Sequence, residues 1–230
     1  MIDAAVPDPV EGELREAIIR TCQRMVDLDI NQGTAGNVSV RIGDAFLITP
    51  SGVPYDAMTP DQIVTMTVDG RYRGPLPPTT EWRLHRAILE RRSDVNVVIH
   101  THAIYSTAVA CLRRDLPAVH YYIVAGGGPS VRCAEYATYG TQELAENALA
   151  AIGDRSACLL ANHGLLVLGT TLDQTFKRTF DIETVARQYV CAKQIGNPVI
   201  LPDDEVERVR VKLLQYGRPD AVDDELVRIG

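Results

Sequence analysis

Asn37-Val38-Ser39-Val40-Arg41-Ile42-Gly43-Asp44-Ala45-Phe46-Leu47-Ile48-Thr49 reads as two short strands around a Gly-Asp turn. Valine alternates with polar residues up to Ile42, and glycine at the first central position is what a two-residue II′ turn asks for. Further on, Ile63 to Val68 and Arg71-Tyr72 flank Asp69-Gly70, a I′-type pair. Such hairpins imply antiparallel pairing, since an all-parallel sheet would have crossover helices in their place.

Helices surround these strands in the chain order. Leu14, Ile18, Cys22 and Met25 follow helical spacing up to the loop Asn31-Gln32-Gly33-Thr34-Ala35-Gly36. After Gly74-Pro75-Leu76-Pro77-Pro78 a short helix is expected from an N-cap at Thr80, with Leu84 and Ile88 inward. Val95 to Ile99 is β-branched and reads as a buried strand, passing through His100-Thr101-His102 into a helix from Ala103 to Leu112. Strands are expected over His120 to Val124, Ala157 to Leu160 and Leu165 to Leu168, and a helix from Thr141 to Gly153. Thr171 with Gln174 forms a capping box for a long helix ending at Gly196, and the last helix runs from Asp203 to Gly217. No repeat or polar linker divides the chain, so residues 1–230 read as one α/β domain with a largely antiparallel or mixed sheet.

The 230 residues carry 23 basic against 30 acidic side chains, a net charge of −7. That balance excludes a protein whose main work is covering nucleic acid or anionic lipid, both of which need a basic face. The acid- and proline-bearing start, Met1 to Asp8, lacks the pattern of a secretory signal, and no apolar run reaches the length of a membrane span. Cys22, Cys111, Cys133, Cys158 and Cys191 are odd in number and widely spaced, which fits reduced thiols in the cytoplasm.

Only five histidines are available for metal or proton chemistry near neutral pH. On an extended strand His100 and His102 point to the same face, a spacing suited to clamping a metal ion. A catalytic zinc site takes three protein ligands and keeps one position open. His163, in the turn Asn162-His163-Gly164 between two strands, is the best third candidate, with His85 and His120 remaining. Glu81 stands in the first turn of its helix. There it either offsets the helix dipole or reaches a metal or a substrate proton.

Gly33-Thr34-Ala35-Gly36-Asn37, Thr49-Pro50-Ser51-Gly52 and Thr79-Thr80 combine glycine turns or a helix start with hydroxyl and amide side chains. Together they can hold a phosphate through N–H and O–H donors without a basic cluster. No Walker motif and no G-x-G-x-x-G follows a strand, so a nucleotide-binding fold has no support.

GTAGNVSVR (33–41), ITPSGVPY (48–55), TTEWRLH (79–85), HTHAIYSTAVA (100–110), PAVHYYIVAGGG (117–128), YATYGT (136–141) and NHGLLVLG (162–169) occur in this order over nearly the whole chain. The joint pattern resembles the class II aldolase/adducin family, nearest its fuculose-phosphate branch. The resemblance implies a three-layer α/β/α fold with a mostly antiparallel sheet, in a homotetramer with active sites at subunit interfaces. It implies zinc on His100, His102 and His163, and the phosphate of a sugar substrate on Thr34, Asn37, Ser51, Gly52, Thr79 and Thr80. It gives Glu81 the carbon-bound proton, and gives Tyr121, reaching in from the neighbouring subunit, the aldehyde oxygen. The implied reaction cleaves a ketose 1-phosphate to dihydroxyacetone phosphate and an aldehyde, with zinc as the Lewis acid and no Schiff-base lysine.

Some positions depart from the fuculose pattern. Thr79-Thr80 replaces a serine pair, Tyr139 replaces a phenylalanine, and Leu213 falls where an aromatic residue is expected, while Tyr216 is kept. The alternatives follow in order. An aldolase of 5-methylthioribulose or 5-deoxyribulose 1-phosphate shares the metal and phosphate apparatus. A pentulose-5-phosphate 4-epimerase would carry aspartate in place of Glu81. A non-catalytic adducin-like module would have lost metal ligands.

Overall fold

The computed structural model describes residues 9–216; Met1 to Asp8 and the expected helix stop at Gly217 lie outside them. A nine-stranded sheet forms the middle layer. Its strands are β1 (Asn37–Ile42), β2 (Ala45–Ile48), β3 (Val64–Thr67), β4 (Tyr72–Arg73), β5 (Val97–Thr101), β6 (Leu116–Pro117), β7 (Ser130–Ala134), β8 (Ala157–Leu160) and β9 (Gly164–Gly169). They lie in the order β4-β3-β2-β1-β5-β9-β8-β7-β6. Every pairing is antiparallel except β7 with β8. The mostly antiparallel sheet implied by the hairpins is thus present.

Two-residue alternation sends side chains to both faces. Val98, Leu166 and Leu168 pack with Leu84 and Ile88 of α2 (Trp82–Arg91) and with Leu144, Ala148 and Ile152 of α4 (Gln142–Ile152). On the opposite face Val38, Val40, Val97 and Ile99 meet Ile18, Cys22 and Met25 of α1 (Pro9–Asp27). Farther along that face Leu165 and Val167 meet α3 (Ile104–Cys111) and α5 (Leu172–Ile195), with Val206 of α6 (Asp203–Gln215) closing the cluster. Helices on both faces make the three-layer α/β/α architecture.

The alternation also aims the chemistry. Because Val38 and Val40 face α1, Asn37 and Ser39 of β1 face α2. Asn37 pairs in register with His100 on β5, so both reach the same end of the same face.

Four local expectations need correction. The second hairpin closes through Val68-Asp69-Gly70 with only Gly70 at positive φ, so it is a three-residue turn with a glycine bulge, not a I′ pair. Asp69 stabilises it by accepting from Thr67 Oγ1 and from Arg71 Nε. His120 to Val124 is not a strand: Tyr121–Gly126 is a 3₁₀ helix, capped by His120 at Tyr122 N–H and closed by left-handed Gly127. Its inward residues, Ile123 and Gly126, are three apart, a period that an apolar run of this kind conceals. The sheet also gains β6 and β7, which sequence patterning missed. Finally, Thr80 is not the cap of α2; Glu81 occupies that position, and Thr79 supplies the carbonyl that accepts from Trp82 N–H.

The first hairpin matches expectation, with Gly43 at φ 54°. Thr171 caps α5 as expected by accepting from Gln174 N–H, while Gln174 reaches back one residue further, to Thr170 N–H.

Candidate active site

Where β5 ends beside the β8–β9 turn, three imidazoles and a carboxylate converge. His100 is the fourth residue of β5, His102 follows its last residue, and His163 sits in the turn before β9. Gly164 is required there because a Cβ would collide with the Thr101 carbonyl oxygen and press on the rings of His100 and His102. Asn162, immediately before His163, adopts φ 52°, a left-handed backbone that asparagine tolerates better than most residues.

Glu81 reaches into this group from the start of α2. Its Oε2 lies 3.1 Å from His100 Nε2 and its Oε1 lies 3.2 Å from His163 Nε2. His102 Nε2 is 3.1 Å from His100 Nε2, and one donor atom from each of the four residues falls within 4.8 Å of all the others. His100 Nδ1 donates to the Leu165 carbonyl at 3.1 Å, which leaves its Nε2 lone pair facing the cluster. The sequence left Glu81 between a helix-dipole role and a reach toward the metal; the geometry favours the second, because its side chain makes no capping bond.

The donor set fits a divalent cation. Glu81 Oε1 is buried and has no hydrogen-bond partner, since His163 Nε2 is near but not aligned with it. An orphaned buried carboxylate oxygen beside imidazole lone pairs is costly unless a cation joins them. Burial drives His102 down to about 4, with His100 and His163 acting in the same direction, so this ring is a neutral ligand at pH 7. Burial also works against ionisation of Glu81, but His100 and His163 outweigh it and hold the carboxyl far below its usual range.

A cleft of about 450 Å³ opens over the cluster. One wall carries Thr34, Asn37, Ser51, Gly52, Thr79 and Thr80, all six residues expected around a phosphate; Glu81, His102 and His163 line the same space. Two loops are pinned together to build that wall. Ser51 N–H donates to Pro77 O and Thr79 N–H to Thr49 O. Those two N–H groups are therefore spent, and the hydroxyls are what these residues offer to an anion. Tyr55 ties down the loop before β1 by donating to the Ala35 and Gly36 carbonyls. Asn31, which sequence reading left in a plain loop, is buried and accepts from His102 N–H and Thr101 Oγ1.

Tyr136, Ala137, Tyr139 and Asn162 complete the lining. Tyr121 is not part of it: the residue is 42% exposed on its 3₁₀ helix, stacked on His120 at 4.4 Å. His85 is not near enough to join the metal group; it is fully buried and bonded to Ser39 and Asn37.

Comparison with known proteins agrees with this geometry. Residues 16–190 match the family described as Class II Aldolase and Adducin N-terminal domain. The chain belongs to the class II aldolase and adducin family. Within it, the chain is 48% identical over 204 residues to a 5-methylthioribulose-1-phosphate/5-deoxyribulose-1-phosphate aldolase of Rhodospirillum rubrum, covering 89% of this chain and 92% of that protein. It is 43% identical over 207 residues to an L-fuculose phosphate aldolase of Escherichia coli, covering 90% and 96%. A solved L-fuculose 1-phosphate aldolase superposes with a TM-score of 0.87 at 38% identity, covering 92% of this chain and all of that one. These similarities make this family member an aldolase, a carbon–carbon lyase. No helix among the described residues is long and apolar enough to cross a membrane.

Proposed function

We propose that this class II aldolase cleaves a ketose 1-phosphate between C3 and C4, giving dihydroxyacetone phosphate and an aldehyde. L-fuculose 1-phosphate or a similar deoxypentulose 1-phosphate is the substrate. The observation that carries the reading is the placement of Glu81, His100, His102 and His163 at the base of a cleft whose wall is set with threonine and serine hydroxyls. His100, His102 and His163 hold the metal, and three imidazoles favour zinc over magnesium or calcium. When bound, the ion supplies Lewis-acid polarisation of the substrate's carbonyl and hydroxyl oxygens.

The protein's own groups do the rest. Thr34, Ser51, Gly52, Thr79 and Thr80 bind the phosphate and fix the C1 end, so the carbon chain is laid across the histidines; Asn37, expected from the sequence to join them, instead backs the wall, because its amide is committed to Glu81, Thr79 and His85. Tyr121 of a neighbouring subunit relays the proton of the C4 hydroxyl to solvent as the C3–C4 bond breaks. The bonding pair passes to C3, and Glu81 relays a proton from solvent to that carbon, so one proton leaves and one is taken up. In the synthetic direction Glu81 removes that same proton from the hydroxymethyl carbon of dihydroxyacetone phosphate. The exposure of Tyr121, outside the cleft of its own chain, supports a homotetramer with the active site shared between neighbours. The five cysteines are all free thiols, which suits a reducing cytoplasm.

The 48% relative gives the 5-methylthioribulose or 5-deoxyribulose 1-phosphate reading its specific support. A coupled assay for dihydroxyacetone phosphate release decides between them, run on the 1-phosphates of fuculose, rhamnulose, ribulose, 5-deoxyribulose and 5-methylthioribulose. Cleavage of at least one, lost on chelation and restored by zinc, is expected. Cleavage of none would reject the proposal.

A further inference from the structure

Ser39, His85 and Asn37 form a buried polar chain that ends on Glu81. Ser39 and His85 have no exposed surface, and Asn37 and Glu81 have almost none. Ser39 Oγ lies 2.7 Å from His85 Nδ1, and His85 Nε2 lies 2.5 Å from Asn37 Oδ1. Asn37 Nδ2 is 3.0 Å from Glu81 Oε2 and 3.1 Å from Thr79 Oγ1. The chain crosses from β1 to α2 and back, so it exists only because alternation on β1 turns Asn37 and Ser39 toward that helix.

Its proton arrangement follows from one end. An ionised carboxylate can only accept, so Asn37 must turn its NH₂ toward Glu81. The amide oxygen then faces His85 and requires a proton on Nε2. A neutral ring protonated at Nε2 has an acceptor at Nδ1, which the Ser39 hydroxyl fills. Burial, reinforced by His100, drives His85 down to about 3, so the ring stays neutral across the physiological range. A flipped Asn37 would set its oxygen against a carboxylate and its NH₂ against an N–H, with both mismatches buried.

We propose that His85, backed by Ser39, is a positioning residue: its Nε2–H tautomer locks the Asn37 amide, whose NH₂ in turn holds Glu81 at the histidine cluster and Thr79 at the anion-binding wall. This rests on the reading of Glu81 as the group that moves the carbon-bound proton. It gives a reason for a histidine that neither binds the metal nor reaches the cleft.

Two measurements on the full-length, metal-loaded protein test it. Side-chain ¹⁵N spectra of histidine-labelled protein should show His85 as the neutral Nε2–H tautomer throughout pH 6 to 8.5; an Nδ1–H tautomer or an imidazolium overturns the proposal. The second measures solvent exchange at the hydroxymethyl carbon of dihydroxyacetone phosphate. His85→Leu, which removes the donor, should slow exchange roughly 30-fold, within the usual range for groups that orient a metal-site residue from outside. Metal affinity, set by His100, His102 and His163, should stay within about threefold. His85→Gln, which can present an N–H to Asn37, should restore most of the exchange. Exchange in His85→Leu within threefold of the parent, or a Gln variant as slow as the Leu variant, overturns the role. If the Leu variant does not fold, the tautomer measurement still decides. Absence of exchange in the parent protein would instead remove the aldolase mechanism for Glu81 and leave the tautomer assignment to stand or fall by its own spectrum.

Discussion

The two walls of the cleft are built in opposite ways. The wall from β1, the loop 49–52 and the start of α2 is backed by buried polar groups whose partners all come from this chain: Asn37 with Thr79 and Glu81, His85 with Ser39 and Asn37. The rest of the lining is open. Tyr139 is 65% exposed and Tyr136 is 49% exposed, and Arg113 and Asn162, both at φ 52°, meet through an exposed hydrogen bond of 2.7 Å. A group that must meet every substrate the same way gains from rigid, desolvated support. An end that must accommodate different aldehydes has no such requirement. The built wall should therefore govern whether reaction occurs, and the open wall which substrate reacts.

The largest effects should come from the built side. His100→Ala removes the proposed ligand with no exposed surface, together with its hydrogen bond to the Leu165 carbonyl. Metal content by mass spectrometry and cleavage should both fall to background; bound zinc with parental activity would sink the ligand assignment. Glu81→Gln keeps the three imidazoles, so metal should remain. Exchange at the hydroxymethyl carbon should drop by at least about 10²-fold, the usual worth of a positioned acid–base group.

Tyr121→Phe tests whether the open wall is completed by a second subunit. Cleavage should fall about 10²-fold while hydroxymethyl exchange persists, because exchange needs Glu81 and the metal but no aldehyde oxygen. Mixing Tyr121→Phe subunits with His100→Ala subunits should restore part of the cleavage, since one kind of shared site then contains both intact residues. No recovery in a demonstrated mixed oligomer would place Tyr121 within its own chain's site.

Legibility from sequence divides along the same line. The hairpin at 37–49 and the strand–histidine junction at 97–102 show in alternation alone, because each is a local pattern with one buried face. All six phosphate-side candidates line one cleft with His102 and His163, and His100 lies buried in the same cluster. What was not legible depends on partners distant in sequence. β7 is a five-residue strand interrupted by Arg132 and owes its place to parallel pairing with β8. The 3₁₀ helix at 121–126 reads as a strand because its apolar run hides a three-residue period set by Gly126 packing against Val131. Nor could spacing show that the Asn37 amide is spent on Glu81, 44 residues away.

Ser51→Ala removes one hydroxyl from the anion side without disturbing the backbone bond to Pro77. A hydrogen bond to a charged group contributes about 1.5–3 kcal/mol. KM for the sugar phosphate should therefore rise roughly tenfold or more, with a smaller change in kcat. An unaltered KM would remove Ser51 from phosphate binding.

Tyr139→Phe should have the smallest effect and discriminates most finely between the walls. The hydroxyl it removes sits on an exposed residue of the open side and is fixed by no partner that holds Glu81 or the histidines. Hydroxymethyl exchange should not change. Any effect should appear in the ratio of kcat/KM for fuculose 1-phosphate, whose aldehyde half carries hydroxyls, to that for 5-deoxyribulose 1-phosphate, whose aldehyde half has fewer. One solvent-accessible hydrogen bond contributes about 0.5–1.5 kcal/mol, so a shift of about two- to tenfold toward the less hydroxylated substrate is expected. A loss equal for both substrates would mean that Tyr139 supports the common chemistry, and the division of labour between the walls would then be wrong at the residue where the cleft is most open.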